Sequence, residues 1–198
     1  MAGAFVNRGH VRYGGARLFV QEGIASDFTE RLRERLSTLR VGDPLDANTD
    51  VGPLVSRGQR DRIAEYVRTG IEEGATFVQG PGTLPERGFF FAPGFFAGVR
   101  PSDGVASREI VGPILSIQTF RTPDEAIGRA NATPFGSAAG VWTDSGALAL
   151  YAASRLRAGV VWTNTYDRFD PSAPFGGYKE SGLGRQGGIP GLRAYLET

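Results

Sequence analysis

The chain has 198 residues, with 22 Lys and Arg against 21 Asp and Glu, a single His, no Cys and 40% hydrophobic residues. A formal net charge of +1 leaves no excess to neutralise a phosphate backbone, which argues against nucleic acid as a partner. The missing Cys excludes disulfides, cysteine-based metal sites and every thiolate mechanism. No apolar run approaches the ~18 residues of a membrane span, and the first ten residues lack a signal-peptide pattern, so no membrane is expected and the localisation expected is cytoplasmic. The length suits one domain, residues 1–198, large enough to bury a core without disulfides or metal.

In chain order, residues 16–20 (ARLFV) read as a short strand. Ile24, Phe28, Leu32, Leu36 and Leu39 then recur every three or four residues among charged neighbours, which predicts an amphipathic helix with Ser26 and Asp27 at its start and a stop before Gly42-Asp43-Pro44. Ser56 is placed to cap a second helix through Ile63, Tyr66, Val67 and Ile71, ended by Gly74 and followed by a strand over 75–79. Residues 89–99 (FFFAPGFFAGV) predict two extended pieces joined by a turn at Pro93-Gly94. A strand over 114–120 follows. Thr122-Pro123-Asp124-Glu125 is a capping box opening a third helix through Ala126, Ile127 and Ala130. Strand-like stretches at 136–142 and 159–164 flank a fourth helix, with Asp144 or Ser145 as its cap, Leu148, Tyr151, Ala152 and Leu156 along it and Gly159 as its stop. Strands alternating with helices imply an α/β protein, a mainly parallel sheet with flanking helices.

Several local patterns point to chemistry only weakly. Gly182-Leu183-Gly184-Arg185-Gln186-Gly187 spells G-x-G-x-x-G, but only 11 residues follow it, too few for the rest of a dinucleotide-binding unit. His10 has no Cys to activate, and Ser181 lacks a G-x-S-x-G elbow, so a solvated or lining imidazole is the reading of His10. Glu72 with Glu73, and Asp167 with Asp170, are equally read as paired acids or as surface charge. Trp162, Tyr166, Phe169 and Phe175 crowd one stretch after a strand and suit either a ligand tunnel or plain core packing. No metal site is read.

Six motifs in order then resemble the catalytic domain of the NAD(P)-dependent aldehyde dehydrogenase superfamily, from about Phe5 to the C-terminus. They are Gly42-Asp43-Pro44-Leu45, Gly52-Pro53-Leu54-Val55-Ser56, Arg108-Glu109-Ile110-Val111-Gly112-Pro113, Thr133-Pro134-Phe135-Gly136, the stretch AAGVWT at 138–143, and PFGGYKESG at 174–182. The resemblance implies aldehyde oxidation to carboxylate: a Cys thiolate attacks the aldehyde, hydride passes to NAD(P), and a Glu-activated water hydrolyses the thioester. It also places Arg12 at the nucleophile position, within Asn7-Arg8-Gly9-His10-Val11-Arg12. An arginine guanidinium stays protonated at every working pH and has no lone pair with which to attack.

By the same resemblance Glu109 matches the Glu that hydrogen-bonds the nicotinamide ribose, and Val111 stands where a Phe usually lies against the nicotinamide; both are read as vestigial cofactor contacts. Phe169 and Phe175 match positions lining the substrate tunnel, and Gln186 stands where Glu is usual. The family's general base, its oxyanion-hole Asn and its cofactor domain would lie N-terminal to the region present, and a tail strand would follow Thr198. The resemblance therefore implies no catalytic residue here, no cofactor for the isolated chain although the family uses NAD(P), and a degenerate domain acting as a non-catalytic subunit or partner. The partner is a homo-oligomer or a hetero-complex with a full-length or N-terminal dehydrogenase chain; the alternative is a complementing half of a split enzyme. Residues 89–96 and 162–175 are the expected apolar contributors to that association.

Overall fold

A computed structural model describes residues 2–108 and 110–197. The chain divides into two compact units, Met1–Thr122 and Pro123–Thr198. The first contains helix α1 (Ala2–Phe5), a 3-10 turn (Val6–Gly9), strand β1 (Arg17–Gln21), helix α2 (Ala25–Ser37), helix α3 (Arg57–Glu72), strands β2 (Thr76–Gln79) and β3 (Gly94–Ala97), the short helix α4 (Gly104–Ser107) and strand β4 (Ile114–Phe120). Its sheet has the order β1-β4-β3-β2. Both neighbours of β4 run parallel to it, and β2 closes the edge antiparallel to β3.

β4 lies between two strands and is covered on both faces, which explains the near-continuous apolar run ILSIQTF. Leu115 and Ile117 face one core, with Val20, Phe95, Phe5 and the α2 residues Leu32 and Leu36. Ile114 faces the other, with Phe96, Ile63 from α3 and Val105 and Ala106 from α4. Because successive side chains of a strand alternate in direction, the adjacent Phe95 and Phe96 serve opposite cores, each fully buried.

The local signals act much as the sequence suggests. Ser56 caps α3, its hydroxyl accepting from the Gln59 N–H at 3.2 Å, and Gly74 (φ 96°) follows the helix end in the left-handed region that a glycine adopts freely. In α2 the cap position is Ile24 with no side-chain bond. Ser26 and Asp27 fall inside the first turn, where Asp27 complements the helix dipole.

Residues 89–99 depart from expectation. Pro93-Gly94 makes no turn; instead Leu54 donates to the Phe89 carbonyl, Gly80 to Pro93, and Gly94 to Pro113, so the stretch runs extended into β3. Phe90, Phe95 and Phe96 are buried in the first unit rather than exposed for association, because the whole stretch is laced to its neighbours by backbone bonds.

The second unit holds α5 (Pro123–Asn131), β5 (Ala138–Val141), α6 (Gly146–Arg155), β6 (Val160–Thr163), a 3-10 turn (Lys179–Ser181) and α7 (Gly188–Arg193). β5-α6-β6 is a crossover unit with parallel strands, and Ser145 rather than Asp144 caps α6, accepting from the Leu148 N–H. Asn131 joins the ends of α5 and α6: its amide donates to the Arg155 carbonyl and accepts from the Arg157 N–H. The G-x-G-x-x-G stretch follows a 3-10 turn, not a strand, and part of it pairs Phe175 with Gln186. Exposed apolar side chains in this unit include Leu183, Tyr195, Ile189 and Leu150. The architecture is α/β with mainly parallel pairing and flanking helices.

Gly70 shows how tightly α3 packs. A Cβ there would lie 2.6 Å from the Phe96 ring and 2.7 Å from Val105 Cγ1. Phe96 cannot yield, held between Phe77 (ring centroids 4.9 Å apart) and Tyr66 (5.9 Å). Gly70→Ala adds about 1 kcal/mol of helix propensity but overpacks a full site, at a cost of about 1–3 kcal/mol. The expected result is a net loss of about 1 kcal/mol in urea unfolding, against the gain that an exposed helical glycine would show.

Candidate functional site

The segment around Arg12 is shaped by backbone constraint. Asn7 (φ 48°) and Arg8 (φ 60°) both occupy the left-handed region, followed by Gly9 (φ 73°). Each non-glycine residue there costs roughly 1–2 kcal/mol, so neighbouring contacts must hold the turn. Arg8 does so, donating from Nη1 to the Pro53 carbonyl at 2.8 Å and from Nη2 to Asn7 Oδ1. Gly9 then passes so close to the entry of β4 that a Cβ on it would lie 2.0 Å from the Gly112 carbonyl oxygen. Gly112 is equally bare because its own Cβ would sit 2.5 Å from Ile63 Cδ1. A short turn follows, with Gly14 N–H bonded to the Val11 carbonyl at 2.9 Å.

These two strips of backbone enclose a concavity of about 170 Å³. His10, Arg12 and Val111 line it together with Val11, Ile110 and Ile114. Two sequence-predicted positions, Arg12 and Val111, thus share one small site; Glu109, the third, lies outside the described residues. Arg12 and Val111 are both exposed at the rim. Arg12 has no hydrogen-bond or ion-pair partner among the described residues.

Gln59 is the residue that sequence reading missed. It occupies the position of a capping-box Gln, three residues after Ser56, from which its side chain would reach back to the cap. Instead it is buried, donating from Nε2 to the Val111 carbonyl at 3.0 Å and lying 2.6 Å from His10 Nε2. The carbonyl contact identifies that Gln59 atom as the amide nitrogen. His10 Nε2 must therefore accept, leaving a neutral imidazole with its proton on Nδ1. Burial, with the Arg8 charge nearby as the smaller influence, lowers the His10 pKa in the same sense.

The predicted aromatic residues come together in the second unit. Trp142 stacks on Tyr166 (5.9 Å, 10°), Tyr166 meets Trp162 (4.6 Å), and Trp162 and Phe169 pack edge to face (5.2 Å, 88°). Phe169 and Phe175 continue the series edge to face (5.0 Å, 80°). Trp162 is buried and its indole N–H donates to the Arg168 carbonyl, whereas Phe169 and Trp142 remain exposed. The series forms a wall with a packed end and an open end.

A profile of the Aldehyde dehydrogenase family matches residues 1–198. The chain belongs to the aldehyde dehydrogenase family. It is 42% identical over 201 residues to betaine aldehyde dehydrogenase of Brucella anthropi, covering 100% of this chain and 41% of that protein. Among solved structures, it matches the NAD-dependent aldehyde dehydrogenase of Sinorhizobium meliloti with a TM-score of 0.94 at 41% identity, covering 99% of this chain and 39% of that one. Betaine aldehyde dehydrogenase of Staphylococcus aureus, solved in complex with NAD+, matches with a TM-score of 0.92 at 35% identity, covering 99% and 40% respectively. The chain thus spans about 41% of the length of the curated relatives it matches.

Of the remaining candidates of this aldehyde dehydrogenase family chain, Glu72, Glu73, Asp170 and Ser181 have structural partners. Glu72 pairs with Arg68 at 2.5 Å, while the Glu73 carboxylate accepts from the Gly104 N–H at 2.8 Å. Asp170 accepts from the N–H and hydroxyl of Ser172, which lowers its pKa. Ser181 Oγ accepts from the Gly136 N–H. No group of three or more His, Cys, Asp or Glu suited to a metal ion occurs among the described residues.

His10 supplies a pH test, because the folded state holds it below its ordinary value of 6.5. Between the two values the unfolded chain binds more protons than the folded one. Stability is therefore full above about pH 6.5 and falls as pH drops toward the folded-state value. As the only His, it gives an unambiguous proton NMR signal. Its midpoint is expected below 6.5 in the folded chain and near 6.5 in urea, and His10→Asn should remove this part of the pH dependence of stability.

Proposed function

We propose that this aldehyde dehydrogenase family chain does not oxidise aldehydes by itself and works as a non-catalytic subunit or partner. Its two units together correspond to the family's catalytic domain, and the companion is a homo-oligomer or a full-length or N-terminal dehydrogenase chain. The observation that carries this reading is chemical. The chain has no Cys, and the position matched to the nucleophile is Arg12, which lines the concavity beside Val111 and has no lone pair to offer.

The family implies NAD(P), but the described residues of the concavity do not fit it. Its 170 Å³ is well under the roughly 300–1,000 Å³ of small-molecule sites, and Arg12 would meet the positive ring of an oxidised nicotinamide. We read Glu109 and Val111 as vestigial ribose and nicotinamide contacts, and Phe169 and Phe175, continuous with Trp162, as a former wall of the substrate tunnel. A cytoplasmic setting belongs to the same reading; no helix among the described residues is long and apolar enough to cross a membrane.

A second reading is a complementing half of a split NAD(P)-dependent enzyme. The concavity at Arg12 and Val111 favours it: a partner's nucleophile would have a site to enter. Mixing the chain with a family member truncated to its N-terminal part separates the readings, since NADH formation only in the mixture supports complementation.

Restoring the thiol tests the main reading directly. Arg12→Cys should give one alkylatable residue by intact mass, with no NADH absorbance above blank from short or aromatic aldehydes and NAD or NADP, because hydride transfer needs a positioned acceptor. Aldehyde oxidation by this variant or by the unmodified chain would overturn it.

A further inference from the structure

The cation that takes thiol chemistry out of the site gives it another capability. Arg12 stands at the rim of a concavity lined by Val11 and Val111 as well as by backbone, and no Asp or Glu is among its described lining residues. Arg8, the other cation nearby, has both amino groups engaged, with the Pro53 carbonyl and Asn7, and its Nε buried, while the Gln59 contact keeps His10 neutral. The turn that presents Arg12 is strained at Asn7 and Arg8, and backbone strain of that kind concentrates where a segment is held for binding.

We propose that this concavity binds a small monocarboxylate, its oxygens on the Arg12 guanidinium and its short apolar body against Val11 and Val111. The guanidinium fork matches a carboxylate with two parallel N–H···O bonds, and an uncharged aldehyde offers no such pairing. The Val11 and Val111 side chains disfavour strongly hydrated phosphate. The volume of about 170 Å³ holds roughly five or six water-sized groups, the size of a three- or four-carbon acid. The proposal deepens the reading of a family site without thiol chemistry and rests on it, with bound acid in place of a turned-over aldehyde.

Propionate is the probe. His10 lines the concavity and is the only His, so its imidazole proton signal reports occupancy at about pH 8, where it is neutral, at constant ionic strength. Propionate should shift that signal saturably. Propionamide, its neutral counterpart, should not, and phosphate should act more weakly. Arg12→Gln should weaken propionate roughly 10- to 100-fold, the equivalent of one charge-assisted bond, and Arg12→Lys should keep part of the affinity. A non-saturable response, an equal response to propionamide, a stronger response to phosphate or an unchanged Arg12→Gln affinity would each overturn the proposal. NADH formation by the unmodified chain would instead sink the non-catalytic reading while leaving this titration standing, so the two failures are distinguishable.

Discussion

The backbone of residue 9 approaches that of residue 112 so closely that position 9 has no room for a single carbon, and Ile63 takes the same room from position 112. This contact depends on Ile63, which fills the space over Gly112 from α3, and on the left-handed turn at Asn7 and Arg8 that aims the chain there. Everything chemical about the first unit descends from it. The turn delivers His10 and Arg12 to one side of a concavity, and β4 begins on the other side with Val111 already at the rim. Gln59 then ties the two strips together, touching His10 and the Val111 carbonyl at once.

That arrangement separates shape from chemistry. The resemblance puts the family's nucleophile at Arg12, and that residue is a cation at the rim of the concavity. A cation in such a place is not inert. In a partly dry concavity its interaction with an anion is stronger than in open water, whereas its interaction with a neutral aldehyde is not. Family membership does not by itself confer an activity; the residues of the site do.

The second unit reaches an ordered site by another route. Its aromatic wall needs no buried charge: rings from β6 and the following loop pack edge to face, with Trp162 anchored by its N–H on the Arg168 carbonyl. Asn164 and Asp167 take positive φ between the rings, which turns the loop sharply enough to bring Tyr166 onto both Trp142 and Trp162. The Asn164 amide closes that turn by bonding both ways with the backbone of Thr143.

Much of this molecule was determined by sequence alone, wherever the cause is local. Helix α3 follows from Ser56 and Gly74, α6 from Ser145, and the burial of β4 from its unbroken apolar run, because caps, stops and strand periodicity act within a few residues. The order of the motifs singled out Arg12, Val111, Phe169 and Phe175, and the structure places the first two on one concavity and the last two in one aromatic series. Tertiary structure alone decided the rest. Pro93-Gly94 looks like a turn, yet backbone bonds to Gly80 and Pro113, distant in sequence, hold it extended. Phe95 and Phe96 look like surface candidates, yet α2 covers one on one face of the sheet and α3 with α4 covers the other on the opposite face. Gln59 looks like half of a capping box, yet a stronger demand from His10 and the Val111 carbonyl, 49 and 52 residues away, takes its side chain. Each of these depends on groups that chain folding alone brings together, and no local pattern encodes which distant donor or acceptor will be left needing a partner.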